Sequence, residues 1–323
     1  MSRHQNPTPH PELAQSIATF KSQFEAVADN IERVILGKRE VIEKVLLSMT
    51  AGGHVLLLDV PGTGKTMLTR AIAASIACTF RRIQFTPDLL PLDITGTNVF
   101  NMRSKAFEFQ QGPIFANLLL ADEINRATPK TQSALLEVMA EQQVTVEGTT
   151  HKLPPPFLVI ATMNPIDHQG TYALPAAQMD RFTMQLSMGF PPHAAEIAIL
   201  DVHLGVRSPL TDLKPVIDRQ AFIQWQRTIP LVFVSGLIKT YVVDFVNLLR
   251  DNAEAMAPPS PRATLMLVKT AQALALSKGR DYVVPTDIQS IAADVLSHRM
   301  MMTSDRTAHS LIEEVLQSVE VRD

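Results

Sequence analysis

HVLLLDVPGTGKTMLTRAIAASIA (54–77) decides the architecture. Val55–Leu58 is a short, continuously apolar run of the kind that forms a strand buried on both faces. Gly62-Thr63-Gly64-Lys65-Thr66 follows it, and Thr66–Ala77 then takes up helical periodicity. A strand, a glycine-rich turn and a helix in that order make a phosphate cradle. The glycines let backbone N–H groups curl around an anion without Cβ clashes, and the helix N-terminus adds partial positive charge. Lys65 can reach β- and γ-phosphates, and the Thr66 hydroxyl can ligate Mg2+. Pro61, Gly62, Thr63, Gly64, Lys65, Thr66 and Met67 are therefore candidate nucleotide-binding residues. The strict spacing has one more glycine, five residues before Gly64, where this chain has Asp59.

Around that unit, short β-forming runs alternate with helical patterns from His54 to Met188. The runs are Val55–Leu58, Arg82–Phe85, Leu118–Ala121, Phe157–Ala161 and Met184–Ser187, with helices expected over Thr66–Ala77 and Thr131–Gln142. This predicts a three-layer α/β domain on a parallel sheet. Thr97–Gly112 and Gln143–Lys152 interrupt the alternation and read as hairpins. Residues 1–12 are polar and proline-rich, which predicts a disordered tail, and amphipathic helices are expected from about Leu13 to Val34 and over 39–50. Pro191-Pro192 marks a boundary beyond which β-runs vanish. The expected organisation is thus a tail (1–12), an α/β domain (13–190) and an all-helical domain (191–323).

Further groups can join the phosphate loop. Leu118-Leu119-Leu120-Ala121-Asp122-Glu123 is an apolar strand ending in two carboxylates at the same sheet edge. Asp122 can hold a Mg2+-bound water, and Glu123 can orient and polarise an attacking water. Asn164, pinned by Pro165 after a buried run, can reach a γ-phosphate, though asparagine is also ordinary in a turn after a strand. In Ser260-Pro261-Arg262, serine and proline start a helix. Arg262 there opposes the helix dipole, a placement that suits an anion but also occurs on plain surfaces. Arg126 follows the carboxylate pair directly. Arg181, in Asp180-Arg181-Phe182, reads equally as a surface ion-pair partner or as an arginine supplied to a neighbouring copy.

Composition narrows the class. The 323 residues are 46% hydrophobic and 19% charged, with net charge −3. This fits a folded chain and argues against a sequence-independent nucleic-acid binder. The single cysteine, Cys78, allows no internal disulfide and reads as a small core residue. No signal-peptide core and no run of 18 apolar residues occurs, so no transmembrane segment and a cytoplasmic location are expected. The greasiest stretch, Ile229–Leu249, is cut by Lys239 and Asp244 and reads as a buried helix.

Longer strings carry a family resemblance: RIQFTPDLLPLDITG (82–96), GPIFANLLLADEINRATPKTQSALLEVMAEQQVTVEG (112–148), FLVIATMNP (157–165), GTYALPAAQMDRF (170–182) and SPRATLMLVKTAQALALSKGRDYVVPTDI (260–288). They resemble the MoxR family of AAA+ ATPases. The resemblance implies a P-loop AAA+ core followed by an all-α lid, with ATP and Mg2+ as ligands. Lys65 and Thr66 fall on Walker A, Asp122 and Glu123 on Walker B, Asn164 on sensor 1, Arg262 on sensor 2, and Arg181 on the arginine finger. Val34, Ile35, Leu36 and Gly37 fall on the stretch that lies against adenine. The two hairpins correspond to insertions that face a ring's pore or its partners. Leu58, Met163 and Pro259 depart from the family's usual residues, and none removes a catalytic group.

What the resemblance implies for function is an ATPase that forms a hexameric ring and remodels or matures client proteins, or inserts a metal or cofactor. It would work with a separate protein carrying a von Willebrand factor A-type domain. Two alternatives stand beside it: the ATPase subunit of a metal chelatase, and a nucleotide-gated scaffold with little turnover.

Overall fold

The computed structural model describes residues 11–165, 170–204, 209–303 and 305–319. Strands β1 (His54–Leu58), β2 (Phe80–Gln84), β5 (Leu118–Asp122), β8 (Leu158–Met163) and β9 (Phe182–Leu186) form one parallel sheet in the order β2-β5-β8-β1-β9. Two antiparallel hairpins stand outside it, β3 (Gly96–Asn101) with β4 (Ala106–Gln111), and β6 (Gln143–Val146) with β7 (Thr149–Lys152). Because every strand of the sheet runs the same way, Leu58, Gln84, Asp122, Met163 and Leu186 all end at one edge. His54, Phe80, Leu118, Leu158 and Phe182 all begin at the other.

The α-helices are α1 (Pro11–Glu32), α2 (Arg39–Thr50), α3 (Lys65–Ser75), α4 (Pro91–Thr95), α5 (Pro129–Glu141) and α6 (Ala176–Met179), then α7 (His193–His203), α8 (Arg219–Thr228), α9 (Gly236–Arg250), α10 (Pro261–Ser277), α11 (Pro285–Leu296) and α12 (Ala308–Ser318). Alternation along the central strands divides them between two cores, as the pleat requires. Val55, Leu57, Leu118, Leu120, Leu158 and Ile160 join a core with α1, α2, α3 and the C-terminal helices. Leu56, Leu119, Ala121, Val159 and Ala161 join another under α4 and α5. That is the three-layer arrangement expected.

Several expectations are corrected. The expected tail (1–12) is corrected at its end, since Pro11 and Glu12 already belong to α1, while residues 1–10 lie outside the described residues. β2 starts at Phe80, two residues before the expected Arg82, and is an exposed edge strand: of its FRRIQ only Ile83 is buried. The helical region is not free of strands, since β10 (Ala255–Ala257) pairs with β11 (Met301–Met302). The helix after the phosphate loop ends at Ser75, because Ala77 turns into the left-handed region at φ 48. Cys78 is half-buried against the core, and burial raises its thiol to about 11, which keeps it protonated and inert.

α1 packs on the C-terminal helices through an aromatic knot. The Trp225 ring stands 4.9 Å from Phe20 and 6.1 Å from Phe24, and its Nε1 donates to Gln23 Oε1 at 2.9 Å. In those helices Asp287 is fully buried. It accepts from Arg280 at 2.6 and 2.8 Å and from the Val284 N–H at 3.0 Å, which starts α11. These donors hold its carboxyl below the ordinary range against the opposing effect of burial. Asp287→Ala should cost about 3 kcal/mol, the low end for breaking a buried pair because Arg280 can turn to solvent; the urea midpoint measures it.

His54 opens β1 and is buried. Its Nδ1 accepts from the Val159 N–H at 3.0 Å, and its Nε2 lies 3.2 Å from the Met139 carbonyl, which requires the neutral ring with a proton on Nε2. Burial, helped by the charge of Arg262, depresses its pKa to about 4. The unfolded chain takes that proton near pH 6.5 and the folded chain only near 4. His54 should therefore withdraw up to about 3 kcal/mol of stability as pH falls through that window, with nothing lost above it. Urea midpoints at pH 7 and pH 4.5 test this, and the drop between them should shrink in His54→Gln.

Candidate active site

The phosphate loop leaves the C-terminal edge of the sheet between β1 and α3. Gly62 (φ 88) and Gly64 (φ 90) occupy the left-handed region, which side chains resist. Gly64 is the N-cap of α3, so the helix dipole points at the loop. The Lys65 Nζ donates to the main-chain oxygens of Asp59 (3.0 Å) and Val60 (2.7 Å). Burial pushes its ammonium below the ordinary range, opposed by the carboxylates of Asp59, Asp122 and Glu123. A phosphate in the cradle would give that charge a better partner than two carbonyls.

Asp122 ends β5 and Glu123 follows it at φ 56, a left-handed conformation costing about 1–2 kcal/mol for a residue with a side chain. The Thr162 hydroxyl on β8 stitches the turn: it donates to Asp122 Oδ1 (2.6 Å) and accepts from the Glu123 N–H (2.8 Å). Asp122 Oδ2 is held by Arg82 Nε (3.1 Å) and Nη2 (2.7 Å). Glu123 Oε2 accepts from Gln84 Nε2 (2.8 Å) and Arg126 Nη1 (2.9 Å). A cavity of about 380 Å³ at this edge is lined by Asp59, Pro61, Gly62, Gly64, Lys65, Thr66, Met67, Asp122, Glu123 and Asn164, together with Arg82, Gln84, Thr162 and Met163.

A second, mainly apolar cavity of about 470 Å³ adjoins it, sharing Gly62, Gly64 and Met67. Val34, Ile35 and Leu36 form one wall, and Met188, Phe190, Pro191 and Leu200 line it as well. Thr63 also lines it. Gly37 (φ 70) lets this wall meet the start of α7, since a Cβ there would stand 2.7 Å from Ala195 Cβ.

Arg181 and Arg262 do not join this pocket within one chain. Arg181 immediately precedes β9, and Phe182 pairs with His54, so it lies at the opposite edge from the loop. The length of the five-residue β1, about 16 Å, separates the two edges. Arg262 is exposed in the first turn of α10, where the Ser260 hydroxyl donates to Asp180 Oδ2 at 3.0 Å. It is near enough to depress both His54 and the buried Arg299. The expectation that Arg262 points to the same pocket as Asp122, Glu123 and Asn164 thus fails for a single chain, because α10 docks at the start of β9 and not at its end.

Sequence reasoning missed Arg82, Gln84, Thr162 and Arg299. Arg82 and Gln84 alternate on β2, and only the strand order sets them beside Asp122 and Glu123. Arg299 pairs with Asp180 at 3.1 Å and fastens the arginine-bearing edge to the C-terminal helices. Among the described residues there is no cluster of three or more His, Cys, Asp or Glu that could hold a metal. The donors here, Thr66 and Asp122, are hard oxygens of the kind Mg2+ combines with phosphate oxygens and water.

Comparison with known proteins agrees with this fold. Residues 54–184 match the model of the ATPase family associated with various cellular activities (AAA), and residues 251–318 match the AAA lid domain. The chain is 46% identical over 298 residues to the uncharacterized protein YeaC of Bacillus subtilis, covering 91% of this chain and 93% of YeaC. It is 39% identical over 312 residues to the chaperone MoxR1 of Mycobacterium tuberculosis, covering 94% and 82%. The crystal structure of a candidate ATPase from Cytophaga hutchinsonii superimposes with a TM-score of 0.89 at 33% identity, covering 96% of this chain and 98% of that one. The chain belongs to the MoxR family of AAA+ ATPases.

Proposed function

We propose that this protein hydrolyses ATP to ADP and phosphate and uses the energy to remodel client proteins. One observation carries the reading: Lys65, Thr66, Asp122, Glu123 and Asn164 converge on one cavity, and an apolar cavity of nucleoside size adjoins it through the phosphate loop. The base would lie against Val34–Leu36 and the phosphates over Gly62–Thr66. Thr66 and Asp122 would hold Mg2+, which neutralises charge on the β- and γ-phosphate oxygens. Lys65 exchanges its two carbonyl partners for phosphate, Asn164 orients the γ-phosphate or the water, and Glu123 polarises that water. Gln84 and Arg126 aim the Glu123 carboxylate. Phosphate release by the full chain, with fluorescent-ATP binding, tests this; absence of both would remove the reading.

Arg181 and Arg262 lie an edge away from their own chain's loop, which supports a site completed by the next subunit of a ring, with six as the expected number. Light scattering with and without ATP measures the assembly. The β3–β4 hairpin exposes Val99, Phe100, Met102 and Phe107. β6–β7 braces it through Phe109 stacked on His151 at 3.9 Å and Asn98 bonded to Glu147 at 2.7 Å. This apolar pad suits a client or a partner with a von Willebrand factor A-type domain. No helix among the described residues is long and apolar enough to cross a membrane, and the cytoplasm is the compartment this reading implies. The Asn98→Ala, Phe100→Ala, Phe107→Ala chain should keep its basal ATPase and lose client capture.

A further inference from the structure

Asp59 is the departure from the strict phosphate-loop spacing, and the hydrolysis proposed above makes no use of its side chain. It is 6% exposed and carries a carboxylate. That carboxylate accepts from the Ser187 hydroxyl (2.8 Å), the Met188 N–H (2.6 Å) and the Gly189 N–H (3.1 Å). All three donors lie in the short run that leaves β9 and leads into α7, the passage from the sheet to the C-terminal helices. Its main-chain oxygen is one of the two carbonyls that receive Lys65. A single residue therefore grips the passage with its side chain and the loop's lysine with its backbone. Glycine at this position would leave two N–H groups and a hydroxyl without their acceptor.

Other contacts make the same joint tight. Met188 is 3% exposed and packs toward the loop, its Cε 3.8 Å from where a Cβ on Gly64 would stand. Phe190, one residue past the Asp59 donors, lends its carbonyl to Lys38 Nζ at 2.6 Å. The passage is thus held from the phosphate side by Asp59 and from the base side by Lys38, and it lines the apolar cavity with Met188 and Phe190. Of the two clamps, Asp59 is the one wired to the lysine that must change partners when a phosphate arrives.

We propose that Asp59 is a positioning residue that carries the state of the phosphate loop to the lid. When phosphate draws Lys65 away from the Asp59 and Val60 carbonyls, the run held by the Asp59 carboxylate shifts with the loop, and α7 and the helices after it follow. The inference rests on ATP binding at the loop as proposed above.

The test uses the full chain in a Cys78→Ser background, with spin labels at Glu141→Cys on α5 and Glu313→Cys on α12. The distance between labels, the affinity for a fluorescent ATP analogue and kcat are measured with and without a non-hydrolysable analogue. The parent should change its label distance on binding. Asp59→Gly and Asp59→Asn should bind the fluorescent analogue within about threefold of the parent, lose the distance change, and lose about tenfold or more in kcat, as a misplaced site does. Ser187→Ala, which removes one donor of three, should give a smaller loss in the same sense. Should Asp59→Gly not fold, Asp59→Asn and Ser187→Ala decide. Folded variants that melt earlier yet still move the lid and turn over at the parent rate would reduce Asp59 to a structural residue and overturn the proposal. A parent chain that binds no ATP overturns both readings, whereas a parent that binds and hydrolyses ATP beside unaffected variants overturns this one alone.

Discussion

The Glu123→Gln chain is expected to bind ATP about as tightly as the parent and to hydrolyse it at least about 100-fold more slowly. The substitution is close to isosteric. Glu123 Oε2 accepts from Gln84 and Arg126, and a glutamine carbonyl oxygen can accept from both, so the left-handed turn and its neighbours need not move. What disappears is the negative charge proposed to polarise the water and take its proton. Lys65 and Thr66, proposed to meet the phosphates, keep their positions at the head of α3. Single-turnover phosphate release, set beside a fluorescent-nucleotide titration, separates the two effects. Normal turnover in this variant would take Glu123 out of the mechanism. Because the variant stalls after binding, it is also the form to use for capturing a client.

Arg181→Ala should lower kcat by about 1,000-fold, the scale of an arginine that meets transition-state charge, while leaving nucleotide affinity nearly intact. The side chain makes one Nη1 bond to the Ala177 carbonyl at 3.0 Å, and its Nε is buried with no hydrogen-bond partner among the described residues. The sharper result comes from mixing. Arg181→Ala and Glu123→Gln chains are each inactive, but in a mixed assembly some interfaces join an intact Glu123 to an intact Arg181. Activity should return on mixing if the arginine acts across subunits. No recovery from mixtures shown to co-assemble, or full-rate hydrolysis by single copies, would mean that each chain completes its own site.

The centre of the sheet was legible from sequence because β1, β5 and β8 are buried on both faces and must read as unbroken apolar runs. The edge was not. In β2, Arg81 and Arg82 are both charged and exposed, so the strand looks shorter than it is. The partners of the carboxylate pair were hidden for a related reason. Gln84 pairs with Asp122 only because β2 lies next to β5, and neighbour order does not follow chain order. The loop from Gly62 to Thr66 is local chemistry, and five adjacent residues declare it. Arg262 is the opposite case: its residue type suggests an anion, but which sheet edge it serves depends on where α10 docks. The side chain of Asp59 could be noticed as an irregularity, yet its three donors lie about 130 residues downstream.

The separation of the loop and the arginines onto opposite sheet edges constrains how copies can meet in any assembly that completes the proposed site between chains. The arginine edge of one copy must then meet the loop edge of another, and a contact that sets loop against loop, or arginine against arginine, leaves such a site unfinished. A two-fold dimer meets this only with its copies antiparallel, each giving its arginines to the other, whereas a head-to-tail contact either closes on itself or propagates as a filament. An extra residue on the loop edge would not be met by its own counterpart across the contact. It would be met by a surface some 16 Å away on the same polypeptide, so the two edges must be complementary in shape and charge although neither touches the other within a chain.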